Sequence, residues 1–314
     1  IFLLVSATLA LAGAKTSIPL LMGERFFPDS GSFWIVAFAL YGTAVGSLLL
    51  GSRAVMVRGR IWTLFSAVFF AQLALGLAGW SAFLMTGKLH LPVPALILAG
   101  PIYRGEGFFM LTLLAVSLAL VGPAWCSHLC YIGAWDDRLA RWNSGRPRAL
   151  PAWAPRLRVA LLAATILTPL VLRAMHIPWP WALGLAAAFG LAGIWIMLLW
   201  SRRTGTMTHC TTWCPVGLVN NLLGRILPWR IRIDAGCTRC GACAAACRYN
   251  ALTRVDLDRN RPGLTCSLCG DCLPRCPHAH IGYAFAGLDP QRSRQLFVVL
   301  VTALHTVFLA VARI

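Results

Sequence analysis

Apolar and polar positions follow one another in this chain in long blocks, not at the short period of an amphipathic helix or strand. Apolar blocks cover residues 33–51, 61–86, 107–125, 157–175, 181–200 and 295–312. Each is near the ~20 residues that an α-helix needs to cross a hydrocarbon core. Residues 1–13 are also apolar but short, and we expect a first transmembrane helix clipped at its start. The other reading is a signal remnant, with Ala12-Gly13-Ala14 as the small-residue site. The blocks predict a polytopic all-α membrane protein of about seven spans.

The polar connections give an orientation. Arg53, Arg58 and Arg60 follow the second span; Arg138, Arg141, Arg146, Arg148, Arg156 and Arg158 follow the fourth; Arg202 and Arg203 follow the sixth. Basic connections stay on the cytoplasmic side, so the N-terminus is expected inside and the C-terminus outside. Pro169 should kink the fifth span. Trp179, Trp181 and Trp200 sit near span ends, as interfacial anchors do. Residues 88–106 form an apolar, proline-broken outer stretch, read as packed loop or as a re-entrant segment beside a quinone pocket.

One long connection breaks the apolar pattern, and it carries the chemistry. Cys237, Cys240, Cys243 and Cys247 form one C-x2-C-x2-C-x3-C run; Cys266, Cys269, Cys272 and Cys276 form a second. This is the two-cluster bacterial ferredoxin spacing, in which the fourth cysteine of each run ligates the other cluster. Cys237, Cys240, Cys243 and Cys276 are expected to hold one [4Fe–4S] cluster, and Cys266, Cys269, Cys272 and Cys247 the second. Structural zinc or disulfides are the plainer uses of paired C-x2-C motifs. Neither explains a third thiol at the same spacing plus a remote fourth, repeated twice. Arg239, Arg248 and Arg275 lie in or beside the runs, where they would tune the clusters, dock an acidic partner or simply form a basic face. His278 and His280 flank the second run.

Composition agrees. Of 314 residues, 58% are hydrophobic and 12% charged, about half the ordinary soluble share of charge. The formal charge of +18 comes from arginines between apolar blocks, which fits membrane orientation and not nucleic-acid binding. No phosphate loop, HExxH or Ser/His/Asp constellation appears.

The other cysteines form two C-x3-C-x2-G motifs, Cys126/Cys130/Gly133 and Cys210/Cys214/Gly217, each where a span meets the cytoplasmic side. On an α-helix, i and i+4 would put both sulfurs of a pair on one face. Pro215 could instead open a helix just after its pair. Three roles stand open for these four thiols: a third metal centre, redox dithiols, or packing. His128 and His209 adjoin the pairs as candidate ligands, proton carriers or interfacial residues. His305 lies in the last span without a second histidine placed for bis-His haem.

These motifs in this order resemble the NapH/NosR/CcoG type of polytopic membrane ferredoxin, with the NapH-type quinol dehydrogenase membrane subunit nearest. The likeness covers residues 100–285, with Tyr131 where the first motif usually has proline, and with a final span that is not NapH-like. It implies electron transfer between the quinone pool, or a soluble carrier, and other redox subunits, in a bacterial inner membrane with the cluster module on the cytoplasmic side. The alternative it implies is a CcoG-type copper or metallocentre assembly factor acting through the C-x3-C thiols. The expected organisation is membrane helices over 1–200, the second C-x3-C segment over 201–230, a small α+β two-cluster module over 231–290 and a final helix over 291–314. The expected cofactors are two [4Fe–4S] clusters, with a third centre and quinone as candidates. The expected partners are lipid, quinone or quinol, and redox subunits, with no nucleic acid.

Overall fold

The computed structural model describes residues 1–16, 19–83 and 91–311. The last residues of the block predicted over 61–86, the first of the stretch 88–106, and residue 312 lie outside them. In chain order the helices are α1 (Phe2–Lys15), α2 (Gly31–Leu50), α3 (Ala54–Leu77), α4 (Leu96–Arg104), α5 (Phe109–Val121), α6 (Trp125–His128), α7 (Tyr131–Trp142), α8 (Ala154–Ala174) and α9 (Trp179–Ile196). After α10 (Arg202–Thr204) and α11 (Pro215–Gly224) come β1 (Trp229–Ile233), α12 (Ala242–Ala246), α13 (Arg254–Asp258), β2 (Ile281–Phe285) and α14 (Pro290–Val311).

Among the described residues, 6 helices are long and apolar enough to cross a membrane: Gly31–Leu50, Ala54–Leu77, Phe109–His128, Ala154–Ala174, Trp179–Thr204 and Pro290–Val311. They coincide with the six longer blocks of the sequence. The block at 1–13 becomes α1, a helix of 14 residues, shorter than a crossing needs. The apolar stretch after residue 90 is no extended loop: it folds into α4, which packs on α8. Tyr103 OH donates to Ile177 O at 2.7 Å and fixes α4 to the turn between α8 and α9. Trp179, Trp181 and Trp200 are exposed near the ends of their span, where an indole can lie between apolar and polar solvent. Helix α8 runs through Pro169.

The chain divides into two compact units that do not follow chain order. The first comprises residues 1–90, 128–131 and 291–314. Its core joins Val5 and Leu9 of α1, Ala39 of α2 and Ala303 and Ala310 of α14. Arg294 donates to the last carbonyls of α2, Leu49 O at 3.2 Å and Leu50 O at 3.0 Å, which closes that helix end. Helix α3 holds the segment His128–Tyr131: Trp62 Nε1 donates to Cys130 O at 2.8 Å, and Ser66 Oγ to Tyr131 O at 2.8 Å. His305 is 1% exposed, with Tyr41 OH 3.1 Å from its Nε2.

The second unit comprises residues 91–127 and 132–290 and contains the cysteine runs. Its sheet has two antiparallel strands, β1 and β2, in register from Trp229↔Phe285 to Ile233↔Ile281. The alternation in WRIRI sets this up: Trp229, Ile231 and Ile233 are buried, while Arg230 and Arg232 point away. Helix α13 starts on a capping box, with Thr253 N donating to Asp256 Oδ2 at 2.8 Å.

Candidate iron–sulfur site

The pairing of β1 with β2 brings together the two ends of the segment that carries the cysteine runs. Between them the two runs fold alike. Arg239 and Leu268 take φ of 55° and 56°, Gly241 and Gly270 take 76° and 79°, and Asn250 and Ala279 take 51° and 54°. These are matching places in the two runs. A left-handed φ costs a residue with a side chain about 1–2 kcal/mol. The same strained turn at Arg239 and Leu268 is therefore a demand of the loop and not an accident of composition. At Gly270 the φ of 79° is joined by a close approach: a Cβ would lie 2.5 Å from Tyr283 OH, which itself donates to Leu268 O at 2.9 Å.

Each loop lines a cavity with four cysteines. The outer cavity has about 290 Å³ of empty space, its open mouth included, and Cys237, Cys240, Cys243 and Cys276 line it, with His278 and His280 at its rim. The inner cavity has about 340 Å³ on the same measure and is lined by Cys247, Cys266, Cys269 and Cys272. Each cavity therefore takes one cysteine from the opposite run. Cys240 is exposed, whereas Cys243, Cys247 and Cys272 are buried.

The donor set can be tested against the groups it would hold. Burial pushes the Cys247 and Cys266 thiols up to about 12, and raises those of Cys243 and Cys272. Such sulfurs ionise only with strong positive charge among them, which a metal centre supplies. Among the described residues no three His, Cys, Asp or Glu side chains converge on a point that would hold a single metal ion. Four thiols spread around each cavity fit a cubane of iron and sulfide, which takes four thiolate ligands.

Several contacts tie the inner cavity to the membrane helices of the same unit. Ser127 Oγ donates to Ser267 O at 2.7 Å, Asn221 Nδ2 to Cys266 O at 3.3 Å, and Tyr249 OH to Cys126 O at 3.3 Å. Arg141 of α7 bridges Asp137, at 2.7 Å from its Nε, and the buried Asp271 of the second run. Arg248 donates to Gly205 O at 2.9 Å, which anchors it to the turn after α10. Arg239 pairs with Asp258 at 3.2 Å, both half exposed, a pairing of little energetic weight.

The C-x3-C motifs depart from the helical-face expectation. Cys126 lies in α6, but Cys130 falls after it, and Tyr131 opens α7. Cys210 lies in a π-helical turn, His209–Trp213, and Cys214 is an extended N-cap with Pro215 at the start of α11. In both motifs the second cysteine sits at the entry of a new helix. Burial pushes the Cys214 thiol up, against the pull of the Val216 and Gly217 amides and of Arg158. Gly217 is required by close approach: a Cβ there would stand 2.8 Å from Cys210 O. Gly217→Ala is expected to cost about 1–3 kcal/mol, the usual range for overpacking. A thermal unfolding midpoint equal to that of the parent chain would show that the turn has room after all.

The structure places Cys126, Cys210 and Cys214 in the second unit and Cys130 and His128 in the first. Both histidines beside the motifs are buried: His128 and His209 are 4% and 6% exposed. Burial pushes His209 down to about 4, which keeps its ring neutral. Asp136 was not singled out by the sequence; its Oδ2 accepts from Cys210 N at 2.9 Å, and burial pushes its carboxyl up to about 6. Arg158 was counted among the loop arginines, yet it is 3% exposed within α8. The polar pair Asn220-Asn221 inside an apolar helix was the available signal for such a site.

Comparison with known proteins bears on this region. A family model described as a 4Fe-4S binding domain matches residues 106–149, the stretch with Cys126 and Cys130, and does not extend to the cysteine runs at 237–276. The chain is also similar to the "Putative electron transport protein YccM" of Escherichia coli (strain K12), 24% identical over 231 residues. These matches support an iron–sulfur electron-transfer role. The similarity to YccM covers 65% of this chain and 62% of that protein, less than two thirds of its length. No solved structure matches the chain.

Proposed function

We propose that the chain is a membrane-bound iron–sulfur electron-transfer subunit linking the quinone pool, or a soluble carrier, to a respiratory redox partner. Cys237, Cys240, Cys243 and Cys276 hold one [4Fe–4S] cluster and Cys266, Cys269, Cys272 and Cys247 the other. When bound, the clusters supply one-electron chemistry at potentials set by hydrogen bonding, burial and local charge. The observation that carries this reading is the pair of four-thiol cavities, the inner one fastened to Cys126 and Ser127 at the end of a membrane helix.

The residues around the cavities have distinct tasks. The strained turns at Arg239 and Leu268 shape the two loops. Tyr283, Ser127 and Asn221 pin the carbonyls of Leu268, Ser267 and Cys266, so the inner loop is held fast. The outer loop presents the exposed Cys240 and the His278 and His280 rim to water, which suits exchange with a soluble partner. On the basic-connection rule this module faces the cytoplasm.

Iron and sulfide analysis of the anaerobically purified chain tests the reading. About eight irons per chain mean two cubane clusters, and about twelve add a third centre at the C-x3-C thiols. Iron-free protein with zinc or cystine at these positions would refute it. Reduction of the clusters by a quinol analogue in membranes tests the coupling to quinone.

A further inference from the structure

Arg158 is the most heavily buried charge in the second unit's membrane helices, and no carboxylate pairs with it among the described residues. A buried guanidinium of this kind needs a negative partner, because desolvation without compensation costs several kcal/mol. Arg158 Nη2 lies 3.7 Å from the space beside Gly217, a point also 3.8 Å from Cys214 Cβ and 2.8 Å from Cys210 O.

The site is built on one side of α11. Cys214 is its N-cap, at the helix end that favours negative charge. Asn220 Nδ2 donates to Cys126 Sγ at 3.0 Å. Asn221 Oδ1 accepts from Arg158 Nη2 at 2.8 Å, and Asn221 Nδ2 continues to Cys266 O at 3.3 Å. Two further polar atoms in this buried setting have no partner, Arg158 Nε and Asn220 Oδ1. The guanidinium of Arg158 is thus joined through one amide, that of Asn221, to the backbone of an inner-cavity cysteine.

We propose that the buried charge of Arg158, held by Asn221, raises the reduction potential of the centre that Cys266 ligates. A positive charge nearby stabilises the more negative, reduced form of an adjacent centre, so its removal lowers the midpoint. Arg158 is a positioning residue here; its effect reaches the inner cavity through Asn221. The inference rests on the reading that clusters occupy the two cavities.

The test is an EPR-monitored redox titration of the anaerobically purified full chain. Cys266→Ala and Cys237→Ala identify the inner and outer signals. In Arg158→Gln the inner midpoint should fall while the outer one stays in place, and Arg158→Lys, which keeps the charge, should hold the parent value. An unmoved inner midpoint in Arg158→Gln overturns the proposal, as does a lysine variant that falls equally far. Should Arg158→Gln fail to retain iron, Arg158→Met, neutral and of similar length, takes its place: its inner midpoint should fall, and an unmoved one overturns the proposal. A parent chain with no cluster signal at all would remove the functional reading itself and this inference with it, an outcome distinct from an unmoved midpoint.

Discussion

Cys247→Ala is expected to empty the inner cavity and leave the outer one loaded, although Cys247 belongs to the run that mainly lines the outer. Its sulfur lies with Cys266, Cys269 and Cys272. Cys276→Ala should do the converse, since Cys276 lies with Cys237, Cys240 and Cys243. Each variant should keep roughly four of about eight irons. The decisive comparison is spectroscopic: the EPR signal that survives in Cys247→Ala should match the one that survives in Cys266→Ala. If it matched the survivor in Cys237→Ala instead, the ligands would not cross between runs. Alanine is preferred to serine because a serine oxygen can still ligate iron.

The second large effect concerns the fastening of the module to the membrane helices. Trp229 is 1% exposed, its ring lies 4.4 Å from that of Phe285, and its Nε1 donates to Leu120 O in the last turn of α5 at 2.7 Å. Trp229→Ala removes a buried aromatic, for which about 3–5 kcal/mol is usual. Leu120 O would lose its donor as well. Trp229→Phe keeps most of the packing and loses the hydrogen bond, worth about 1 kcal/mol. Thermal bleaching of the cluster absorbance should therefore come earliest in the alanine variant, with phenylalanine between it and the parent. Equal midpoints for alanine and parent would mean that Trp229 does not anchor the module.

Much of this architecture could be read from the residues because two of its signals are local. A run of some twenty apolar residues has few alternatives to a membrane helix, and α2, α3, α5, α8, α9 and α14 each overlap such a block. Thiols at C-x2-C-x2-C-x3-C spacing are equally constrained. What escaped was tertiary. Arg158 reads as one more basic residue in a positive connection, and only the packing of α8 against α11 and the 209–213 turn reveals it as buried. The glycine of the second C-x3-C-x2-G motif was visible as a letter, but its reason, the Cys210 carbonyl at 2.8 Å from any Cβ, is spatial. The i,i+4 reading of the cysteine pairs failed because a fresh helix starts at Tyr131 and at Pro215. A proline at that place has no N–H to offer the preceding turn.

The discontinuous make-up of the first unit has a consequence for biosynthesis. Val5 and Leu9 find Ala303 and Ala310 as core neighbours only once α14 exists. During translation α1 must therefore wait, incompletely packed, while the whole cysteine-bearing insert emerges from the ribosome. A stalled or truncated nascent chain would expose the apolar flanks of α1 to quality-control proteases.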